Sequence, residues 1–279
     1  MFYDKLNTKQ IAVEKPASDK TKNTRKGILT QNEMRKMMKK ITSLTIVILA
    51  ILMAGCSNIQ SIDTSNHLSI QGSGNIVSTQ FDFTGFDRVE IGLAFGLTVH
   101  HGDEFKVTLT ADDNFIDYIL VEQEGSTLNV AYKPGYAYDV KGVTMLVDVT
   151  MPDLAGLTLG ESSHTWLVNA KSAEIFEAEL SGSSALEGTL QAVAANFELS
   201  GGTYLKLSGS AEQMRVESCG NSIADLADFA VNDAALEVSC NSITSVHVNG
   251  QLDVNASQHA QVFNFGTPVS LNDPAYERD

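Results

Sequence analysis

The residues best placed for chemistry stand in one hexapeptide, ELSGSS at Glu179–Ser184, where a serine is framed by glycine and small residues in the manner of a hydrolase nucleophile. Such a serine needs a base beside it and an oxyanion site in front of it. Neither is legible here, and nineteen residues later the chain repeats itself as ELSGGT, Glu198–Thr203. Ser181 and Ser183 therefore read as members of a repeated corner, and no catalytic residue is assigned. His100-His101, next to Asp103 and Glu104, reads as a polar hairpin turn. The other four histidines are scattered, and no HExxH or paired Cys/His spacing marks a metal site or calls for a cofactor.

Glu179, Glu198 and Glu217 share one repeat position, with Glu237 a coil further on, so they can form an acidic ladder. Lys206 and Arg215 are the only bases near it. Polysaccharide-cleaving β-helices gather acids on one outer face, but a solvated face is the plainer expectation. Tyr132, Tyr136 and Tyr138 surround a Pro134-Gly135 turn. They are candidate contacts for a sugar or a protein partner, and equally suited to covering the end of a β-stack, which is the preferred reading. Trp166 reads as core.

The elements that must position these residues are strands. Apolar and polar residues alternate through Val89/Ile91/Leu93, Leu97/Val99 and Phe105/Val107/Leu109, and again in STLNVAYK and VTMLVDVTMPDL. Period two marks half-buried strands. Only Asp113–Glu124 could hold a turn of helix. Further on, Leu180-Ser181-Gly182 recurs as Leu199-Ser200-Gly201 and Ser218-Cys219-Gly220, and Asn221-Ser222-Ile223 recurs as Asn241-Ser242-Ile243. A step of 19 to 20 residues with small turn residues means a solenoid. Each coil is expected to hold three short strands, with Leu180 stacked on Leu199 inside and Glu179 and Glu198 facing water. Leu186, Leu205, Ile223 and Ile243 are expected to share a second inner position.

Charge divides the chain at Cys56. Residues 1–55 carry 11 basic and 4 acidic residues, and the remainder carries 8 and 30, a net of −22 against −15 for the whole. Nucleic acid is excluded as a partner, because phosphate binding needs clustered Lys and Arg. At the boundary, Met38-Lys39-Lys40 leads into the apolar run Ile41–Met53, too short to span a bilayer comfortably. Met53-Ala54-Gly55-Cys56 then resembles the lipobox of bacterial lipoproteins, with Met53 in place of the usual leucine. That resemblance implies cleavage before Cys56 and lipid attachment to its thiol, hence a membrane anchor. The remaining cysteines, Cys219 and Cys240, are a candidate disulfide in an oxidising compartment. Their repeat positions are displaced by one residue, so their side chains face opposite ways, which favours two free thiols.

The expected organisation is a non-native extension over 1–37, a signal peptide over 38–55, a tether over 56–75, the solenoid over 76–272 and a tail over 273–279. FTGFDRVEIGLAFGLTVHHGDEFKVTLTADDNFIDYILVEQEGSTLNVAYK, VTMPDLAGLTLGESS and the LSGSS/LSGGT coils together resemble the putative auto-transporter adhesin, head GIN domain family of bacterial cell-envelope proteins. The resemblance covers about Ile76 to Phe265. The coils depart from it at SCGNS, SCNS and the last, less regular turn. It implies an all-β fold, a single-stranded right-handed parallel β-helix behind a strand-rich N-terminal portion. Right-handedness also follows the rule for parallel crossovers. With the lipobox, the family implies an extracytoplasmic envelope protein, on the outer membrane if the cell is Gram-negative. Such a protein is expected to be a non-enzymatic binding or adhesion scaffold for an envelope or extracellular protein or glycan. A carbohydrate-active β-helix, binding or cleaving glycans, is the alternative.

Overall fold

The computed structural model describes residues 66–272, so the lipobox with Cys56, the apolar run before it, the extension over 1–37 and the tail over 273–279 lie outside the described residues. Nine strands form the N-terminal portion: β1 (His67–Gln71), β2 (Ile76–Phe81), β3 (Arg88–Ile91), β4 (Gly96–His101), β5 (Lys106–Asp112), β6 (Ile119–Glu124), β7 (Thr127–Tyr132), β8 (Ala137–Lys141) and β9 (Met145–Met151). A further nine continue the stack: β10 (Gly156–Leu159), β11 (His164–Leu180), β12 (Ala185–Leu199), β13 (Tyr204–Ser218), β14 (Ile223–Val238), β15 (Ile243–Val248), β16 (Gln251–Ala256), β17 (Gln261–Asn264) and β18 (Ser270–Asn272). The expected helical turn is a single 3-10 turn at Ile116–Tyr118.

From β10 onward every pairing is parallel, and the chain winds as a β-solenoid of about six turns. Leu159, Leu180, Leu199, Ser218, Val238 and Ala256 occupy one column. All but Ala256 are buried. Strand alternation thus places the leucines inside and Glu179 and Glu198 outside. Ser218 enters this apolar column with its hydroxyl bonded to the Ser222 hydroxyl at 2.8 Å.

Each full coil differs from the expected three strands and three tight turns. It is one strand of 15 to 17 residues with a single sharp corner. The other bends are absorbed inside the pairing, by register shifts after Leu167 and Ser172 and by left-handed Gly188 and Gly209 (φ 130° and 127°). A bulge bends a strand while hydrogen bonding continues on both sides of it. The second inner column is Leu186, Leu205, Ala224 and Thr244. Ile223 aligns with Tyr204 instead and is exposed, with Ile243 stacked on it. The regular 19-residue step carries Leu205 to Ala224 and puts Ile223 one position earlier, on the outer side of the strand.

The N-terminal portion closes the stack. β7 pairs parallel with β3 and antiparallel with β6, and β9 pairs parallel with β4 and antiparallel with β5, which in turn pairs with β2. β4 and β5 therefore do not form the hairpin expected at His100-His101. β9, with Val147, Val149 and Met151 buried, returns between them and pairs with both. β1 lies inside the stretch read as a tether and pairs parallel with β8. It is tied down through Asp112, whose buried carboxylate accepts the backbone N–H groups of Gly74 and Thr144, each at 2.7 Å. Those two bonds hold its pKa below the ordinary aspartate value.

Candidate functional site

The repeated corner settles the role of the serines. Ser181 Oγ donates to the Leu159 carbonyl at 3.1 Å and Ser200 Oγ to the Leu180 carbonyl at 3.4 Å, each on the preceding coil. One turn position further in, Ser163, Ser184, Thr203, Ser222 and Ser242 form a buried column of hydroxyls. Ser184 and Ser222 bond the carbonyl three residues back, at 2.9 Å each. The four serines of the column clamp the corner through main-chain oxygens, whereas the Thr203 hydroxyl is buried without a partner among the described residues. The sequence signal for the column was present in the same recurrence that marked the glycines. Asn221 and Asn241 stack as a pair outside it, 3.2 Å apart.

The acidic ladder is real. Thr158, Glu179, Glu198, Glu217, Glu237 and Asn255 follow one another in register on one outer face. Between this column and the corner serines runs a groove of about 480 Å³, which Cys219 also lines. Arg215 belongs to the ladder, bonding Glu217 at 2.6 Å and Glu237 at 3.0 Å. At the other end Arg88 bonds Glu177 at 2.7 Å. Glu198 sits between them with glutamates on both sides. Its pKa is raised by desolvation, then by the Glu217 and Glu179 charges, with Arg215 offsetting part of the effect. Lys206 is not part of this ladder, because its column is on the other face, where it bonds Asp225 at 2.9 Å.

That other face carries a second groove, of about 350 Å³. Trp166 stands at its edge, 47% exposed, so the core assignment made from sequence is wrong. In β11 the inward positions are Thr165 and Leu167, and alternation sends Trp166 out. Thr98 and Glu187 flank it on the neighbouring coils, and Glu187 bonds His164 at 3.0 Å. Leu167, Val168, Asn169, Gly188, Thr189, Lys206, Leu207, Ser208 and Asp228 complete its lining.

Of the tyrosines, Tyr132 and Tyr138 pack edge-to-face against Phe115 at the closed end, with ring centroids 5.4 and 6.1 Å away. Tyr132 donates to the Met145 sulfur at 3.3 Å and Tyr138 to the Lys133 carbonyl at 2.8 Å. Burial pushes both phenols up in pKa. Tyr136 lies edge-on to Tyr118 with 44% of its surface open. The cluster covers the end of the stack, leaving only Tyr136 presented to solvent.

Cys219 is exposed and Cys240 half-buried, and both are free thiols. Their positions are displaced by one residue as expected, since Ser239 N–H bonds the Ser218 carbonyl and Asn241 N–H bonds that of Gly220. His100 Nε2 lies 3.1 Å from Asp148 on β9, a pairing that the misread hairpin concealed. Among the described residues, no three His, Cys, Asp or Glu side chains are grouped to hold a metal ion.

Residues 85–268 match the family model for the putative auto-transporter adhesin, head GIN domain. No curated protein matches the chain. Several crystal structures share the fold at low identity. One is a putative lipid binding protein from Parabacteroides distasonis, with TM-score 0.56 and 17% identity over 74% of this chain and 97% of that one. Another is a putative adhesin from Bacteroides fragilis, with TM-score 0.55 and 16% identity over 73% and 99%. A third is a putative adhesin from Parabacteroides merdae, with TM-score 0.50 and 14% identity over 73% and 98%.

Proposed function

This chain belongs to the putative auto-transporter adhesin, head GIN domain family, and from that premise we propose that it is a lipid-anchored cell-envelope protein acting as a non-enzymatic adhesion scaffold. The observation that carries the reading is the form of its grooves. Both run across several coils, and the first is built from side chains that repeat rung over rung. A catalytic centre converges unlike groups on one reacting atom. A ladder offers the same group at strand spacing, about 4.8 Å, and so suits an extended partner held along its length. The glycan-cleaving alternative asks for two carboxylates facing each other across a cleft. In the first groove the glutamates share one wall.

The anchor rests on the lipobox ending in Cys56, which precedes the 207 described residues in the chain. Feeding cells a labelled fatty acid tests this directly. Label should appear on the wild-type protein and be absent from Cys56→Ser, which should leave the membrane fraction. An unlabelled wild-type protein sinks the anchor. For the scaffold, immobilised protein should retain envelope material unchanged in size. No retention overturns the binding role, and shortened glycan products overturn its non-enzymatic character.

A further inference from the structure

Trp166 is the only tryptophan in the chain, and the fold turns it outward beside a groove. We propose that this groove binds a neutral saccharide, with the pyranose ring laid on the Trp166 indole and its hydroxyls bonded by Glu187, Lys206 and Asp228. The inference rests on the binding-scaffold reading above and names the chemical class of the ligand.

An exposed indole offers a broad, rigid, apolar face to the C–H groups on one side of a sugar ring. Directly next to it position 188 is a glycine with φ of 130°, against which the backbone of the preceding coil packs closely. A Cβ there would lie 2.1 Å from the Leu167 carbonyl oxygen, so only glycine lets the two coils approach at this point and keeps the groove wall free of a side chain at position 188. The opening, about 350 Å³, is within the range of small-molecule sites. Its rim supplies what hydroxyl groups require. Glu187 and Asp228 accept, Lys206 donates, and the Thr189 and Ser208 hydroxyls, 3.2 Å apart, do either.

Charge selects among ligands that could use an aromatic face. Glu187, Asp225 and Asp228 stand against Lys206, with His164 bonded to Glu187. The excess negative charge opposes phosphates, uronic acids and other anions. A quaternary ammonium would be drawn to the indole, but cation recognition of that kind encloses the charge in aromatic rings. Here one indole is followed in register, two coils on, by an ammonium. A lipid chain would require a continuous apolar lining, and here Leu167, Val168 and Leu207 are interrupted by hydroxyl, carboxylate and ammonium groups.

The sole tryptophan makes its own emission a reporter of this groove alone. Full-length protein in detergent would be titrated with a panel of neutral oligosaccharides, a uronic-acid oligosaccharide and tetramethylammonium. At least one neutral sugar should give a saturable change in indole emission. Glu187→Gln should weaken that binding roughly tenfold or more, the loss expected for a hydrogen bond to a charged group. Glu212→Gln, at an exposed position that lines neither groove, should leave it unchanged. The proposal is overturned if no neutral sugar responds, if the uronate binds as well, or if only tetramethylammonium binds. Envelope retention by Trp166→Ala separates the two readings. If variant and wild type are retained equally, the saccharide site falls and the scaffold stands. If the wild type is not retained, the scaffold falls, while an emission change with a neutral sugar would leave the site standing.

Discussion

One residue shows how strictly the corner is specified. Gly182, Gly201 and Gly220 hold φ of 66°, 88° and 80°, and the next member of the column is Cys240, at 63°. The left-handed region costs a non-glycine residue about 1–2 kcal/mol, because Cβ approaches the following carbonyl. Glycine there gives back about 0.5–1 kcal/mol in backbone entropy lost on folding. Cys240→Gly should therefore stabilise the protein by about 0.5–1 kcal/mol, read as a higher urea midpoint with an unchanged slope. Cys240→Ser keeps the strained backbone and should leave the midpoint where it is. A destabilised Cys240→Gly would mean that the thiol, 3.8 Å from the Ser239 hydroxyl, contributes more than the strain removes.

At the scale of the strand, parallel in-register stacking sets like charges side by side, and the ladder has one rung that is poorly compensated. The Glu198 pKa lies above its ordinary value, so the folded state holds that proton to a higher pH than the unfolded chain does. Its penalty is absent below the unfolded pKa and complete once pH has risen through the folded one. Glu198→Gln should thus raise the denaturation midpoint at neutral pH, and the gain should vanish below about pH 4, where both states are protonated. A gain that persists in acid would assign the effect to packing. The ladder was legible in the sequence because its 19-residue step is regular, and so were the inner leucines and the corner. Three features were not. Trp166 was misread because a lone aromatic at a coil start carries no face label until the register of β11 is known. The pairing of β9 between β4 and β5 was hidden because it joins strands separated by a long excursion, whereas sequence adjacency suggests a hairpin. The bends inside each coil escaped because a bulge leaves apolar alternation nearly intact while changing its phase.

For the whole molecule, a solenoid implies that stability is a sum over coils and their neighbours, with no single centre. Leu180 aligns with Leu199 across an uninterrupted rung, so removing Ser181–Leu199 joins Leu180 to Ser200 in the geometry that Leu199 already has. The corner ELSGGT is regenerated, β11 comes to face β13, and Phe176 and Phe229 remain as core rings once Phe197, which lies 6.1 and 6.3 Å from them, has gone. The shortened chain should still fold cooperatively with a strand-type far-UV dichroism spectrum. Its urea slope should fall by roughly a tenth, in proportion to the surface no longer exposed on unfolding. Removing Ser181–Leu190 alone leaves half a coil that cannot close, sets Gln191 against the wrong rung and should abolish the transition. Trp166 would then distinguish fold from site. In the 19-residue deletion it loses Glu187 and comes to lie beside Lys206, so the chain should stay folded while its indole no longer responds to sugar. If that deletion unfolds the protein instead, the coils are not interchangeable units, and the N-terminal cap and the stack fold as one indivisible core.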